Sequence, residues 1–255
     1  MAGLRTIEEI LERSQSQFDI TIIGKEPYPN YNRIMLSNIL QKKMTVEDTI
    51  MNPYDWYQEN NIELINNDPV EKVDKENKIV TTSKGIEVEY DICIFATGSK
   101  AFVLPIPGSN LPSVIGWRTI DDTNKMIEIA QTKKRAVVIG GGLLGLECAR
   151  GLLDQGMEVT VLHLADWLME MQLDRKAGEM LKADLEKQGM KIELQANSKE
   201  IIGDKDVEAI KLADGRVIET DLVVMAVGIR PYTEVAKDSG LDVNRGIVVN
   251  DYLQT

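Results

Sequence analysis

The sequence predicts an α/β fold made of two tandem units, each a doubly wound parallel sheet with an antiparallel meander. The first observation is an internal repeat, because residues 62–98 and 192–228 share one pattern at a constant offset of 130 positions. The second is the alternation of helix-period segments with short apolar runs, which indicates parallel strands joined by helices. The third is residues 99–116, which contain three prolines and no periodicity, the composition of a connection between units.

The repeat runs through both strands and turns. Ile62-Glu63-Leu64 recurs as Ile192-Glu193-Leu194, Gly85 as Gly215, and Gly98 as Gly228. The second unit opens with a strand and a glycine turn over residues 135–142, whose counterpart would stand before Met1. We therefore expect the first unit to lack its opening strand. Either the chain is a fragment of a longer protein, or residues before Met1 exist and are not included.

The elements of the first unit are short. Apolar residues at helical spacing predict a helix that ends near Ser14, and alternation predicts a strand over 18–24. The later elements are strands near 62–66, 78–82 and 86–90, a hairpin turn at 83–85, and a buried strand over 92–96 that ends at Thr97-Gly98.

The second unit contains a complete alternating set. Its expected elements are helices over 120–131, 143–155 and 174–188, strands over 135–140, 158–163, 190–194 and 222–226, and a meander that turns at Asp214-Gly215. Because crossovers between parallel strands are right-handed, these segments predict a parallel sheet with an inserted antiparallel meander.

Composition excludes several classes of function. The formal net charge is −12, and no Lys/Arg cluster is present to bind nucleic acid or an anionic membrane. No stretch approaches the ~18 apolar residues of a membrane helix. Arg5, Glu8 and Glu9 argue against a signal peptide, so we expect a cytoplasmic protein. Cys93 and Cys148 are too far apart in the sequence for a redox pair or metal-ligand spacing, and we expect both in the core.

A glycine fingerprint marks the second unit as a candidate nucleotide-binding unit. Gly140-x-Gly142-x-x-Gly145 lies between an apolar strand and a helix. In that context the first glycine makes a tight turn, the second lets the backbone approach a pyrophosphate, and the third permits close helix–strand packing. The N-terminus of the helix then favours the phosphate charge.

The strand after the fingerprint ends in His163, where an Asp or Glu usually binds the ribose 2′-hydroxyl. A histidine can donate to a hydroxyl, face a phosphate when protonated, or simply end a strand, and these alternatives stay open. The choice between NADH and NADPH is therefore open too. Glu147 either faces the ligand from the first turn of the helix or is a solvated helix carboxylate.

The first unit carries a weaker set of nucleotide signals. Gly3 stands where the third glycine of a fingerprint would be, and Glu26 follows the second strand, where a carboxylate can bind ribose hydroxyls. Arg33 and Ser37 then supply a cation and a hydroxyl. A pyrophosphate partner is a reasonable role for Arg33, and a solvated loop arginine is the alternative.

Together these residues resemble the FAD-dependent pyridine nucleotide-disulfide oxidoreductase superfamily over essentially the whole chain. The motifs are Ala2-Gly3, Glu26-Pro27-x-Pro29-x-Tyr31-x-Arg33-x-x-Leu36-Ser37, Ala96-Thr97-Gly98, the glycine fingerprint through Glu147, and Gly228-Ile229-Arg230-Pro231. Within the superfamily, residues 29–33, 161–164 and 168–174 look most like the N-terminal part of NAD(P)H-dependent nitrite reductase large subunits.

The resemblance implies two Rossmann-like domains. An NAD(P)H-binding domain over 111–240 would be inserted in an FAD-binding domain over 1–110, to which residues 241–255 return. FAD would be lined by Gly3, Glu26, Arg33, Ser37, the backbone of Val70, and Ala96, Thr97 and Gly98. The nicotinamide dinucleotide would be lined by Gly140, Gly142, Leu144, Gly145, Glu147, His163 and Gly228. Hydride would pass from nicotinamide to flavin, and we assign no catalytic side chain and no metal ligand.

The cysteine content limits what the resemblance implies. Two distant cysteines provide neither a redox-active disulfide nor ligands for the iron–sulfur and siroheme centres of nitrite reduction. We therefore expect an electron-entry module that serves a siroheme and iron–sulfur domain further along its parent protein. The alternatives are an NADH oxidase, a reductase of a small electron carrier such as rubredoxin or ferredoxin, and an inactive fragment that only binds a dinucleotide. Trp117 and Arg118 either face the flavin or pack a domain junction, and a second copy of the chain, in a homodimer, is among the partners considered.

Overall fold

The structure, a computed structural model, describes residues 1–14 and 17–255 and divides into two compact units. Unit 1 consists of Met1–Asn32, Thr49–Ser99 and Arg230–Thr255, and unit 2 consists of Arg33–Asp48 and Lys100–Ile229. These bounds differ from the boundaries expected at residues 110 and 240. The assignment of one cofactor to each domain stays a prediction.

The helices and strands are numbered in chain order. The helices are α1 (Ala2–Arg13), α2 (Leu36–Leu40), α3 (Tyr54–Glu59), α4 (Ile120–Thr132), α5 (Leu143–Asp154), α6 (Arg175–Lys187) and α7 (Glu234–Asp238). The strands are β1 (Ile20–Ile23), β2 (Ile62–Ile65), β3 (Val70–Asp74), β4 (Ile79–Thr82), β5 (Glu87–Glu89), β6 (Ser99–Ala101), β7 (Val114–Gly116), β8 (Arg135–Ile139), β9 (Glu158–Leu162), β10 (Lys191–Glu193), β11 (Ser198–Ile202), β12 (Ala209–Leu212), β13 (Val217–Glu219), β14 (Leu222–Met225) and β15 (Ile229–Pro231). Two 3₁₀ turns cover Arg33–Met35 and Glu47–Thr49.

Unit 2 is built on a five-stranded parallel sheet in the order β10-β9-β8-β14-β7. All four residues of β14 are buried, as a strand with neighbours on both sides and covered faces requires. The core of the unit joins Val137, Leu162 and Val223 of the sheet to Ile210 and Leu212 of the antiparallel meander β11-β12-β13. The doubly wound fold and the inserted meander are thus confirmed.

The segment 99–116 was expected to be a plain connection, and that expectation is wrong at both ends, since Ser99–Ala101 form β6. Residues 114–116 form β7, the edge strand of the parallel sheet, where Val114 pairs with Val223 of β14. A strand of three residues is too short to show a periodic pattern. Its place in the sheet depends instead on the long-range partner β14.

Residues 33–48 precede the second unit in the sequence by many residues, yet they pack within it. An ideal Cβ on Gly151 of α5 would lie 2.5 Å from Cγ of Leu40, so α2 and α5 approach closely. The side-chain amide of Gln155 donates to the carbonyl of Leu40 at 2.7 Å. Leu40 is fully buried, and this contact attaches the segment to the unit.

Unit 1 contains a smaller set of strands. β1 and β2 pair in parallel from Ile20–Ile62 to Ile23–Ile65, and β3, β4 and β5 form an antiparallel sheet. The predicted hairpin between β4 and β5 is confirmed, and Gly85 within it has a φ of +81°. Such a left-handed conformation favours glycine.

The predicted buried strand over 92–96 is wrong. The residues form no strand, and the side chains of Ile92 and Ile94 are 74% and 56% exposed. The repeat aligns this segment with β14, which is paired on both sides by β8 and β7. Among the described residues of unit 1, no strand pairs with 92–96, so its apolar pattern has no ladder to join.

No helix in the described ranges combines the length and apolar character that a membrane crossing needs. Residues 1–14 and 17–255 also hold no group of three or more His, Cys, Asp or Glu side chains placed to bind a metal ion.

Candidate functional site

The glycine turn of unit 2 connects β8 to α5 through a conformation that only glycine accepts. Gly140 has a φ of +120°, and an ideal Cβ there would lie 2.4 Å from the carbonyl oxygen of Ala226. Its N–H donates to the carbonyl of Leu162 at 2.8 Å. The turn therefore passes between the ends of β9 and β14 with no space for a side chain.

Gly142 and Gly145 have opposite surroundings. An ideal Cβ on Gly145 would lie 1.9 Å from the carbonyl oxygen of Gly140, so α5 packs directly on the turn. An ideal Cβ on Gly142, the N-cap of α5, would meet nothing within 4 Å, and no side chain caps this end of the helix. The first turn of a 12-residue helix thus presents its amide groups beside open space, which suits an anionic ligand.

The other residues predicted to line the dinucleotide lie near this turn and differ in their exposure. Leu144 is 49% exposed on the first turn of α5, and Glu147 is half-buried one turn later. Gly228 follows β14 with a φ of +109° and nothing within 4 Å of an ideal Cβ. β8 and β14 are adjacent parallel strands, so Gly140 and Gly228, which follow them, lie at the same edge of the sheet, the one formed by the carboxyl ends of the strands. That edge is where doubly wound sheets bind their ligands.

His163 lies at the same edge, at the carboxyl end of β9, and its ring is buried. The side chain is 8% exposed, and Nδ1 accepts a hydrogen bond from the Gly141 N–H at 3.0 Å. Because a backbone N–H can only donate, the ring proton must reside on Nε2. Nε2 lies 2.9 Å from Oε2 of Glu170 and donates to it. Both ring nitrogens are therefore used within the unit, and neither is presented to a ribose or a phosphate.

The loop after β9 folds back onto the glycine turn. The N–H of Met169 donates to the carbonyl of Gly141 at 3.0 Å, and Met169 has a left-handed φ of +57°. Leu168 is fully buried, and its Cδ2 would lie 2.6 Å from an ideal Cβ on Gly141. Glu170 follows directly and keeps a side-chain exposure of 34%. No role was predicted for Glu170 or Gly141, because a carboxylate seven residues beyond His163 carries no signal without this loop geometry.

Unit 1 brings together part of the set predicted to line FAD. An ideal Cβ on Gly3 of α1 would lie 3.0 Å from Cβ of Ala96, so this helix packs closely on the segment 92–96. Glu26, just beyond β1, accepts a hydrogen bond from the Tyr31 hydroxyl at 2.5 Å. Val70 begins β3 and pairs with Thr82.

The turn at Thr97 and Gly98 is fixed by Tyr232, also in unit 1. Thr97 Oγ1 donates to the Tyr232 carbonyl at 2.7 Å, and the Tyr232 N–H donates to the Gly98 carbonyl at 2.9 Å. Gly98 has a φ of +67° with nothing within 4 Å of an ideal Cβ. The turn therefore presents an open backbone surface.

Arg33 and Ser37 do not belong to this group of unit 1. Both lie in unit 2, where Arg33 Nη1 donates to the carbonyl of Arg118 at 3.0 Å. Ser37 is buried in α2, and its hydroxyl donates to the carbonyl of Ile34 at 3.4 Å. The predicted set of flavin-lining residues is thus divided between the two units.

The remaining candidate residues are a tryptophan and two cysteines, and all three are buried or half-buried in the protein. Trp117 is buried in unit 2, and its Nε1 donates to Thr123 Oγ1 at 2.9 Å. Cys148 is fully buried in α5, and burial raises the pKa of its thiol far above the ordinary value. Burial also raises the pKa of the half-buried Cys93. Neither cysteine is therefore a thiolate nucleophile at neutral pH.

Comparison with known proteins gives a consistent result. The family model described as pyridine nucleotide-disulphide oxidoreductase matches residues 1–255. The NAD(P)H nitrite reductase of Bacillus subtilis (strain 168) is 55% identical over 255 residues, which are 100% of this chain and 32% of that protein. The assimilatory nitrate reductase electron transfer subunit of the same organism is 42% identical over 255 residues, 100% of this chain and 33% of that protein. The chain thus spans about a third of the length of these relatives.

The fold also matches solved structures. A ferredoxin reductase from Rhodopseudomonas palustris superimposes with a TM-score of 0.87 at 29% identity, covering 95% of this chain and 60% of that chain. The fold of the chain is therefore shared with a ferredoxin reductase.

Proposed function

The chain belongs to the pyridine nucleotide-disulphide oxidoreductase family, and on that premise we propose that it takes reducing equivalents from NAD(P)H to FAD. Unit 2 would hold the NAD(P)H and unit 1 would contribute to the FAD site. The observation that carries the proposal is the open N-terminus of α5 at Gly142, between the closely packed Gly140 and Gly145. A pyrophosphate binds to the backbone amide groups of a helix N-terminus where no side chain blocks its approach.

The residues of unit 2 fit a dinucleotide. Gly142 leaves space where a side chain would otherwise stand between the helix amides and the ligand. The exposed Leu143 and Leu144 offer apolar surface beside it. Gly228 offers a second open stretch of backbone at the end of the neighbouring strand β14.

The residues of unit 1 fit part of an FAD site. Glu26 occupies the position after β1 at which a carboxylate binds ribose hydroxyls. The close packing of Gly3 on Ala96 is what the third glycine of a fingerprint provides between helix and sheet. The turn at Thr97-Gly98 keeps a backbone surface open.

The cofactors supply the redox chemistry: a bound nicotinamide gives up a hydride and a bound flavin accepts it. The chain's own residues bind and orient. The packed Gly140-Gly145 contact fixes the turn that holds the pyrophosphate, and the buried His163 fixes the position of Gly141 within it. Burial raises the pKa of both Cys93 and Cys148, so neither thiol supplies a thiolate at neutral pH.

We further propose that the chain is the electron-entry module of a nitrite reductase large subunit, in the cytoplasm where NAD(P)H is supplied. Its 55% identity to the NAD(P)H nitrite reductase of Bacillus subtilis supports this assignment. Because the chain spans 32% of that protein, the siroheme and iron–sulfur part would be supplied by a separate region. With only two cysteines, the chain itself has too few ligands for such a cluster.

A second candidate is a reductase of a small electron-carrier protein. The match to the Rhodopseudomonas palustris ferredoxin reductase, with a TM-score of 0.87 at 29% identity, supports it. Rapid reduction of an added ferredoxin or rubredoxin by NAD(P)H through this chain would support this candidate.

The test begins with the visible absorption spectrum of the purified chain after incubation with FAD and removal of free flavin. A retained flavin shows a band at about 450 nm, and anaerobic addition of NADH or NADPH should bleach it. Absence of bleaching with a retained flavin would overturn the reductase assignment. Calorimetric titration with NADH and NADPH then separates a working dinucleotide unit from an inert chain, because the fragment that only binds a dinucleotide gives heat of binding but no bleaching.

A further inference from the structure

We propose that Glu170, held in place by His163, recognises the 2′-hydroxyl of the adenosine ribose and makes the site selective for NADH over NADPH. This inference rests on the proposed function, because it concerns the same dinucleotide site of unit 2. Glu170 would touch the ligand, and His163 would act as a positioning residue.

The end of β9 lacks a carboxylate for the ribose. In this fold the residue that ends the second strand normally carries the carboxylate for the ribose. Here that position is His163, and Leu164 and Ala165 follow. Since both nitrogens of His163 are bound to Gly141 and Glu170, the histidine itself has no group left for a ribose hydroxyl.

Glu170 returns a carboxylate to the same place by a different route. The Met169 N–H binds the Gly141 carbonyl, so the residue before Glu170 is attached to the glycine turn. His163 Nε2 then binds Oε2 of Glu170 at 2.9 Å. Among the described residues Oε1 has no hydrogen-bond partner, and the side chain is 34% exposed. The carboxylate is thus fixed through one oxygen and able to accept from a ligand through the other.

The charges of the loop oppose a 2′-phosphate. Residues 164–174 contain Asp166, Glu170 and Asp174 and no Lys or Arg. The next cation, Arg175, is paired with Asp166 at 3.1 Å and lies 4.8 Å over the ring of Trp167. Sites for NADPH present an arginine to the phosphate, whereas this loop presents a carboxylate and neutralises its neighbouring arginine.

The histidine also links the ribose end of the site to the pyrophosphate turn. Gly141 lies between Gly140 and Gly142, and its N–H is fixed by the same ring that fixes Glu170. A displacement of His163 would therefore move the carboxylate and release the Gly141 N–H, while the contact between Gly140 and Gly145 would remain. The ratio of NADH affinity to NADPH affinity then reports on the carboxylate. This gives a readout that differs from simple loss of structure.

The test is calorimetric titration of the full chain with NADH and, separately, with NADPH. We expect the wild-type chain to bind NADH more tightly. Glu170→Gln should weaken NADH binding about tenfold, because a charged acceptor is replaced by a neutral one, and should leave NADPH binding unchanged or stronger. Glu128→Gln removes an exposed carboxylate on α4 and serves as the matched control, with no change in either dissociation constant.

Two substitutions of the histidine separate positioning from folding. His163→Gln places an amide N–H near the position of Nε2 and should retain most of the preference for NADH. His163→Asn retains an acceptor near the position of Nδ1 for Gly141, cannot reach Glu170, and should lose the preference. Near-UV circular dichroism on each variant checks that the unit is folded.

The outcomes distinguish the two proposals. If NADH and NADPH both bind but their ratio is the same in the wild type and Glu170→Gln, the role of Glu170 is wrong and the dinucleotide site stands. A wild-type preference for NADPH leads to the same conclusion. If the wild type binds neither, the proposed function and this inference both fail.

Discussion

Gly145 and Gly140 are packed backbone to backbone, since an ideal Cβ on Gly145 would lie 1.9 Å from the Gly140 carbonyl oxygen. The contact fixes the first turn of α5 against the end of β8. It cannot be relieved by a side-chain rotation, because the obstructing atom belongs to the main chain. The geometry of the turn is thus set by the absence of side chains at two positions.

Gly145→Ala should destabilise the protein by about 2–3 kcal/mol, because the added methyl group forces α5 away from the turn. Urea unfolding followed by circular dichroism measures the change. Gly189→Ala is less suited as a control, because Gly189 has a φ of +98° and is strained on its own account. Gly246→Ala, where an ideal Cβ meets nothing within 4 Å, should change stability little. Equal stability of the wild type and Gly145→Ala would contradict the packing.

Gly142→Ala should leave stability almost unchanged and weaken dinucleotide binding. An ideal Cβ meets open space and φ is an ordinary −85°, so the free energy of unfolding should change by less than about 1 kcal/mol. The methyl group would, however, stand where a pyrophosphate approaches the helix amides. We expect NADH binding to weaken at least about tenfold in calorimetry. Unchanged binding in this variant would place the pyrophosphate elsewhere.

The bounds of the helices and strands around this turn were predicted well from the sequence. The hydrogen-bond partners of the side chains there were predicted poorly. β8, α5 and β9 were placed to within a residue or so, because glycine spacing and an apolar period are local signals. The partners of His163 were not predictable. Its bond to Glu170 depends on the left-handed Met169 and on the return of the loop to Gly141, neither of which leaves a periodic trace.

Long-range pairing explains the other differences. Residues 92–96 and β14 have similar apolar patterns, yet only β14 has strands on both sides and forms a ladder. β7 was missed for the converse reason, because its three residues are a strand only through their pairing with β14. The membership of residues 33–48 in unit 2 likewise depends on contacts distant in sequence.

Gly151→Ala tests that membership. An ideal Cβ there would lie 2.5 Å from Cγ of Leu40 and 2.9 Å from its Cβ, so α2 must shift to admit a methyl group. We expect a loss of about 1–2 kcal/mol in the free energy of unfolding. The double variant with Leu40→Ala should show strong non-additivity, because the smaller residue makes space for the methyl group. Strictly additive losses would mean that the two helices do not pack against each other.

Asp221 ties the start of β8 to the start of β14 and should make stability depend on pH. Its Oδ2 accepts from the N–H of Arg135 at 3.0 Å, and its Oδ1 accepts from Nη2 of Arg135 at 3.1 Å. The hydrogen bond from the Arg135 side chain is the main cause that lowers the pKa of Asp221 below its ordinary value. Asp221→Asn should therefore cost about 1–2 kcal/mol at pH 7.

The sign of the pH effect follows from the direction of that shift. Because the folded pKa of Asp221 lies below its unfolded value of about 3.9, the carboxylate contributes fully above that pH. The contribution is lost as pH falls through the folded pKa. The stability difference between the wild type and Asp221→Asn should thus be constant from about pH 5 to 7 and shrink in more acidic solution. Urea unfolding at several pH values measures it, with Asp238→Asn as a surface control. A difference that stays constant into strong acid would show that the carboxylate charge does not stabilise this strand pair.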